Sequence, residues 1–224
     1  MISDNVKYVF EKMEKAATLS GRSLDDITLV GVTKTVTATE AKELMDAGVK
    51  NLGENRVQSL LDKFDVLGNE PVWHLIGHLQ TNKVKYIADK VSMIHSVDSL
   101  RLAEEIDRQF EKAGRCADIL VQVNVSGEES KYGITPDEAF GFVENISEFK
   151  NLSVKGLMTM APLLANPDEC RKIFYDLHKL AVDIDRKKYD NINMEHLSMG
   201  MSGDFYEAIL EGATIIRVGS ALFQ

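Results

Sequence analysis

Short runs rich in Val, Ile, Leu and Met alternate along this chain with stretches whose apolar residues recur every three or four positions. Eight such runs stand out: Ile27–Lys34, Asn51–Asn55, Val72–Gly77, Met93–Asp98, Asp118–Val125, Val154–Met160, His196–Ser202 and Thr214–Ser220. A strand covered on both faces, as in a parallel sheet, needs this nearly continuous apolar character. The intervening stretches keep the helical period, as in Val57, Leu60, Leu61 and Phe64 and again in Leu102, Ile106 and Phe110, so each presents one apolar stripe to a core. A further amphipathic segment within residues 1–20, with Val6, Val9, Phe10, Met13 and Ala17 on one face, precedes the first run.

Helix boundaries agree with that parse. Thr37-Ala-Thr-Glu40, Thr135-Pro-Asp-Glu138 and Asn166-Pro-Asp-Glu169 each put a capping side chain three residues before a glutamate, so that each side chain satisfies an amide left bare at the helix start. Pro136 and Pro167 fall at the first helical position, where no backbone N–H is needed. Gly48, Gly68, Gly114 and Gly212 follow helical stretches and suit left-handed caps. Strand and helix alternate throughout, with no proline-rich or glycine-serine linker, which predicts an α/β fold: a single (β/α)8 TIM barrel domain over residues 1–224 with an extra N-terminal helix. Little chain follows the eighth run, so the leading helix is expected to cover the missing outer helix or the barrel's base.

Composition narrows the partners. An apolar fraction of 44% supplies a sizeable core, and a net charge of -9 with no basic, aromatic-interleaved run argues against nucleic acid. The amino terminus lacks a signal-peptide plan and no apolar stretch reaches membrane-spanning length, so no membrane partner is expected and the cytoplasm is the expected location. Cys116 and Cys170 are far apart without metal-type spacing and are expected as buried small hydrophobes. His74 and His78 stand four apart, but Leu-Ile-Gly between them continues a strand into a turn, so no metal site is expected and cofactor or core contact is favoured. Met158 with Met160, and Met199 with Met201, should each share a strand face and fill core.

Chemistry in such a barrel gathers where strands hand over to the following loops. The residues there are Lys34, Glu54 with Asn55, His74 with His78, Ser96 with Asp98, Asn124, Met158 with Met160, Ser202, and Arg217 with Gly219 and Ser220. Lys34 suits either a nucleophilic amine or a rim lysine whose stem lies along the barrel edge. Met199-Gly-Met-Ser-Gly-Asp204 leads into a helix, so Ser202, Gly203 and the first-turn amides suit an anion, although Ser202 would serve equally as a plain helix cap. Arg217-Val-Gly-Ser220 repeats the arrangement at the eighth strand, and phosphate sites in this fold are commonly built after strands seven and eight. A lysine and a phosphate cradle at one mouth suggest a Schiff base to a phosphorylated carbonyl compound.

The segments Gly31-Val-Thr-Lys34, Gly53-Glu-Asn55, His74-Leu-Ile-Gly-His-Leu-Gln80, Ser130-Lys-Tyr-Gly-Ile134, Gly156-Leu-Met-Thr-Met160, Met199–Asp204 and Arg217–Ser220 resemble the pyridoxal 5′-phosphate (PLP) homeostasis proteins. These are single-domain relatives of the alanine racemase amino-terminal barrel, PLP fold type III. The resemblance runs from about Gly31 to the end and implies that Lys34 holds the PLP aldehyde as a Schiff base while Ser202, Gly203, Gly219 and Ser220 hold its phosphate. It further implies that Asn55 and the His74–Gly77 strand, with Ile76, line the ring and that Arg217 faces the pyridine nitrogen. The function so implied is intracellular vitamin B6 homeostasis with delivery of PLP to apoenzymes, by a monomer or weak dimer.

Guanidinium has donors only, so a pyridine nitrogen facing it stays unprotonated and is a poor electron sink. That favours a carrier over a catalyst, with no catalytic residue assigned. Tyr132 and Tyr206 are the nameable candidates for a second base and are expected as surface residues. The alternatives are a PLP-dependent amino acid racemase and a lysine Schiff-base aldolase acting on sugar phosphates.

Overall fold

The computed structural model describes residues 1–128 and 131–224; Ser130, part of the Ser130–Ile134 segment, lies outside the described residues. Eight parallel strands close in sequence order into a barrel: β1 (Thr28–Val32), β2 (Asn51–Glu54), β3 (Val72–Leu75), β4 (Met93–Val97), β5 (Ala117–Gln122), β6 (Leu152–Met158), β7 (Ile192–Ser198) and β8 (Ile215–Val218). Closure is made by β8 on β1, where Val30 pairs with Arg217 and Gly31 with Val218. Alternation along each strand sends one set of side chains outward to the helices and the other into the barrel. The outward set, with Leu29, Leu52, Ile94 and Ile119, joins the large core under the helices, whereas Val30, Met93, Leu120, Met158 and Ile215 form a small separate cluster.

The outer layer comprises α1 (Ile2–Leu19), α2 (Ala38–Asp46), α3 (Val57–Leu67), α4 (Leu100–Lys112), α5 (Ala139–Ile146), α6 (Pro167–Asp185), α7 (Phe205–Leu210) and α8 (Ser220–Phe223). The capping boxes at Thr37 and Asn166 start α2 and α6, whereas the one at Thr135 starts a 3-10 turn that leads into α5. Gly48, Gly68, Gly114 and Gly212 all take positive φ. In α4 the buried Leu102, Ala103, Ile106 and Phe110 lie on one stripe, and each large apolar side chain contributes about 1.5–3 kcal/mol by leaving water. α1 packs on α2, α7 and α8, so it fills the gap in the outer ring, and Asn5 Nδ2 ties it to the carbonyls of Leu222 at 3.2 Å and Gln224 at 3.1 Å.

Several elements depart from the periodic pattern. Between β3 and β4 the chain forms only a 3-10 turn, Thr81–Tyr86, in place of an α-helix. β7 begins at Ile192 and ends at Ser198, four residues earlier at each end than the run His196–Ser202, because exposed Asn193 and Glu195 give its first half a loop-like composition. The run Asp118–Val125 stops being regular strand at Gln122: the returning loop pairs Ile134 with Val123, and Asn124 N–H donates to the Ile134 carbonyl at 2.8 Å. Gly133 makes that return possible, since its φ is 121° and a Cβ there would lie 2.8 Å from Asn124 N. Gly156 is required more severely, as its Cβ would lie 1.8 Å from the His196 carbonyl oxygen on β7. Cys116 is exposed in the turn before β5 and is not a core residue, whereas Cys170 is buried.

Candidate functional site

A cavity of about 630 Å³ opens at the carboxyl ends of the strands, within the size range of small-molecule sites. Eight of the nine residues expected at a cofactor site line it: Lys34 after β1, Asn55 after β2, Ile76 after β3, Ser202 and Gly203 before α7, Arg217 in β8, and Gly219 with Ser220 at the start of α8. The ninth, His74, is not in its wall; the ring lies buried inside the barrel. Met160 and Met201 also line the cavity, so the methionine pairs divide their roles: Met158 and Met199 fill core while their partners face the opening.

Lys34 is exposed to the cavity and follows the fully buried Thr33. The Thr33 hydroxyl donates to Glu54 Oε1 at 2.6 Å, and the same oxygen takes Lys63 Nζ of α3 at 2.8 Å. The end of β1 is therefore pinned from behind, which fixes where the Lys34 stem leaves the barrel. Asn55 Oδ1 is buried in the adjoining wall with no hydrogen-bond partner among the described residues, and such an atom calls for a donor.

At the other side of the mouth, Asp204 Oδ1 accepts from Met201 N–H at 2.5 Å and occupies the cap position of α7. Ser202 consequently does not cap that helix. Its Oγ accepts from the amides of Gly219 at 3.2 Å and Ala221 at 3.3 Å, joining the loop after β7 to the first turn of α8. First-turn amides have no acceptor within their own helix, so this corner presents N–H groups and a hydroxyl suited to a phosphate. A Cβ at Gly203 would meet nothing within 4 Å, so sterics do not demand glycine there. Burial raises the Asp204 carboxyl above its ordinary range, opposed by its hydrogen bond from Met201 and by Arg217.

Arg217 is 4% exposed. Its Nη1 donates to Ser198 Oγ, and its Nη2 donates to the Thr159 carbonyl at 2.9 Å. Burial pushes its pKa down to about 10, with Asp204 acting in the other direction, so it remains a cation at neutral pH. Behind it, His95 Nδ1 lies 2.9 Å from Ser198 Oγ, His95 Nε2 lies 2.9 Å from His74 Nδ1, and His74 Nε2 lies 3.0 Å from Asn51 Oδ1. Burial, reinforced by His196, pushes His74 down to about 4. His95 is held well below its ordinary value, first by burial and then by His74, Arg217 and His196.

Sequence reasoning missed His95, Ser198, Thr159, Asn51 and Lys63. His95 carried a usable signal: it falls two residues after Met93, on the inward face of β4, where a barrel interior expects apolar packing. Tyr132 is exposed and stacks on His78 with ring centroids 4.2 Å apart. Tyr206 is half-buried against the core rather than on the surface. Neither tyrosine lines the Lys34 cavity, and no group of three His, Cys, Asp or Glu side chains suited to a metal ion occurs among the described residues.

Residues 14–224 match the family described as alanine racemase, N-terminal domain. The chain is 43% identical over 221 residues to the pyridoxal phosphate homeostasis protein of Aquifex aeolicus strain VF5, covering 98% of this chain and 96% of that one. It is 36% identical over 226 residues to the protein of the same name from Escherichia coli K12, covering 99% and 95% of the two chains. Among solved structures, PipY of Synechococcus elongatus PCC7942 with PLP bound superposes with a TM-score of 0.86 at 31% identity, covering 100% of both chains.

Proposed function

This chain belongs to the pyridoxal phosphate homeostasis protein family, whose barrel is that of the alanine racemase N-terminal domain, and on that premise we propose that it binds PLP in the Lys34 cavity and holds it for release to apoenzymes. The observation that carries this reading is the convergence of a lysine amine, an N–H-rich corner built by Ser202, Gly203, Gly219 and Ser220, and the Arg217 cation in one cavity. PLP would supply an aldehyde when bound, and Lys34 is the amine in the cavity wall that would hold it. Ser202, Gly203, Gly219 and Ser220 would hold the PLP phosphate. Asn55 Oδ1, which lacks a donor, accepts one from the ligand or its water.

The chain acts as a carrier rather than a catalyst. Arg217 lines the cavity with donors only, so a pyridine nitrogen placed against it would stay unprotonated and the ring would be a poor electron sink. No tyrosine lines the cavity among the described residues to serve as a second base. The protein works in the cytoplasm as a monomer or weak dimer; among the described residues, no helix is long and apolar enough to cross a membrane.

Purified protein given PLP should absorb in the visible, and borohydride reduction followed by peptide mass mapping should place the label on Lys34. A protein that stays colourless overturns the reading, and the aldolase alternative predicts borohydride trapping of a sugar phosphate on Lys34 instead. The racemase would need exchange of an amino acid α-proton above the Lys34→Ala control, and none above it would sink that alternative.

A further inference from the structure

The row of buried polar groups behind Arg217 belongs to neither hydrophobic core and, apart from Arg217, to no wall of the cavity. It enters on β8 and β7 with Arg217 and Ser198, crosses the barrel interior to His95 on β4, and ends on β3 and β2 with His74 and Asn51. A barrel of this kind normally fills that space with branched apolar side chains. Burying Ser198, His95 and His74 there costs several kcal/mol unless each is paired.

One fact fixes the first role in the row. Guanidinium cannot accept a hydrogen bond, so Ser198 Oγ accepts from Arg217 Nη1. The hydroxyl proton of Ser198 is left free to point at His95 Nδ1, 2.9 Å away, and the row proposed below takes that nitrogen as the bare one. Neutral His95 therefore carries its proton on Nε2 and donates to His74 Nδ1. His74 in turn carries its proton on Nε2 and donates to Asn51 Oδ1. With those roles each ring has one proton and one partner for each nitrogen.

We propose that Ser198, His95 and His74 are positioning residues for Arg217: a one-way hydrogen-bond row anchored at Asn51 that fixes the guanidinium against the cavity. A proton added at His95 Nδ1 would face Ser198 Oγ with a donor and strand the serine proton, so the row exists only with both rings neutral. The surroundings favour that state. His74 faces His95, His196 and Asn51, and His95 faces His74, His196, Ser198 and the Arg217 cation. His196 is half-buried and is itself held below its ordinary value, chiefly by burial, with Lys155 acting in the same direction and Glu195 and Asp118 opposing. The orientation of Arg217 toward PLP rests on the binding function proposed above, whereas the direction of the row does not.

The test has two arms. Protein without PLP, labelled with ¹⁵N-histidine, should show His74 and His95 by NMR as neutral Nε2–H tautomers at pH 7; an Nδ1–H tautomer or a protonated ring at either position overturns the row. In the second arm, Ser198→Ala and Ser198→Thr are compared after loading with PLP. Loss of the hydroxyl should disturb the His95 tautomer, move the visible absorbance band or its pH profile, and weaken PLP binding on the order of five-fold, while Ser198→Thr restores all three. A Ser198→Ala protein with unchanged tautomers and absorbance overturns the proposal, as does one that merely melts earlier with its spectrum intact. If the unsubstituted protein fails to take up PLP, the function proposed above falls, and the tautomer pattern still decides the row.

Discussion

Two groups of buried polar side chains meet the barrel's ends of strand in different ways. Around Glu54 the charges are formal: one carboxylate oxygen takes both Thr33 Oγ1 and Lys63 Nζ, while Oε2 has no partner among the described residues. Along the Arg217–Asn51 row only the first member is charged, and each contact is satisfied in sequence. The Glu54 cluster joins helix α3 to the ends of β1 and β2, a task that needs balanced charge but no particular direction of donation. The row has a direction, and its donor end lies in the ligand cavity. The difference teaches that, with the row acting as proposed, buried polarity in this barrel serves two ends, fastening outer helix to inner strand in one place and orienting Arg217 in the other.

The sharpest way to break that comparison is Lys63→Met. Removing one partner of a buried pair leaves an uncompensated charge, and the expected loss is about 3–5 kcal/mol in urea unfolding, with the histidine tautomers and the absorbance of PLP-loaded protein unchanged. A loss near that of a surface change, within about 0.5 kcal/mol, would mean that the cluster fastens nothing.

Acid should act on the row instead. His74 titrates at about 4 in the folded protein against about 6.5 unfolded, so between those values the unfolded chain binds more protons and stability falls as pH falls. The expected loss from this group is about 3 kcal/mol, complete near pH 4 and absent above about 6.5. Denaturant unfolding across pH 4–7 measures it, and a His74→Phe protein should show a flatter profile through the same window. An equally steep profile in that variant would move the acid sensitivity elsewhere.

The smallest expected effect is that of Thr33→Val, which removes one donor to Glu54 Oε1 but leaves Lys63 in place. A loss of about 1–2 kcal/mol is expected, again with the spectrum intact. A larger loss accompanied by weaker PLP uptake would show that the cluster also sets the position of Lys34.

The barrel was legible because nearly every strand is buried on both faces and every capping box sits at a helical or 3-10 start. β7 was misplaced because Asn193 and Glu195 face solvent, which erases the apolar run that marks the other strands. The cavity residues were legible as strand-end positions, since local chemistry and barrel topology coincide there. The row was not, because its members lie on five strands and are joined only by closure: nothing in the sequence near His95 announces Ser198, which lies 103 positions away. His74 was singled out for its place at the end of β3, but its face of the strand carries it inward, to Asn51 and His95, rather than to the cavity wall.

The contact between α1 and α8 has a consequence for how the molecule is made. Asn5 bonds to the Leu222 carbonyl across 217 positions, and β1 has no second neighbour until β8 exists. A chain leaving the ribosome at about 5–20 residues per second therefore carries, for tens of seconds, an apolar helix stripe of Val6, Val9 and Met13 and an unpaired strand edge. Such edges template wrong pairings. The last elements, β8 and α8, are thus the latch that shelters the first.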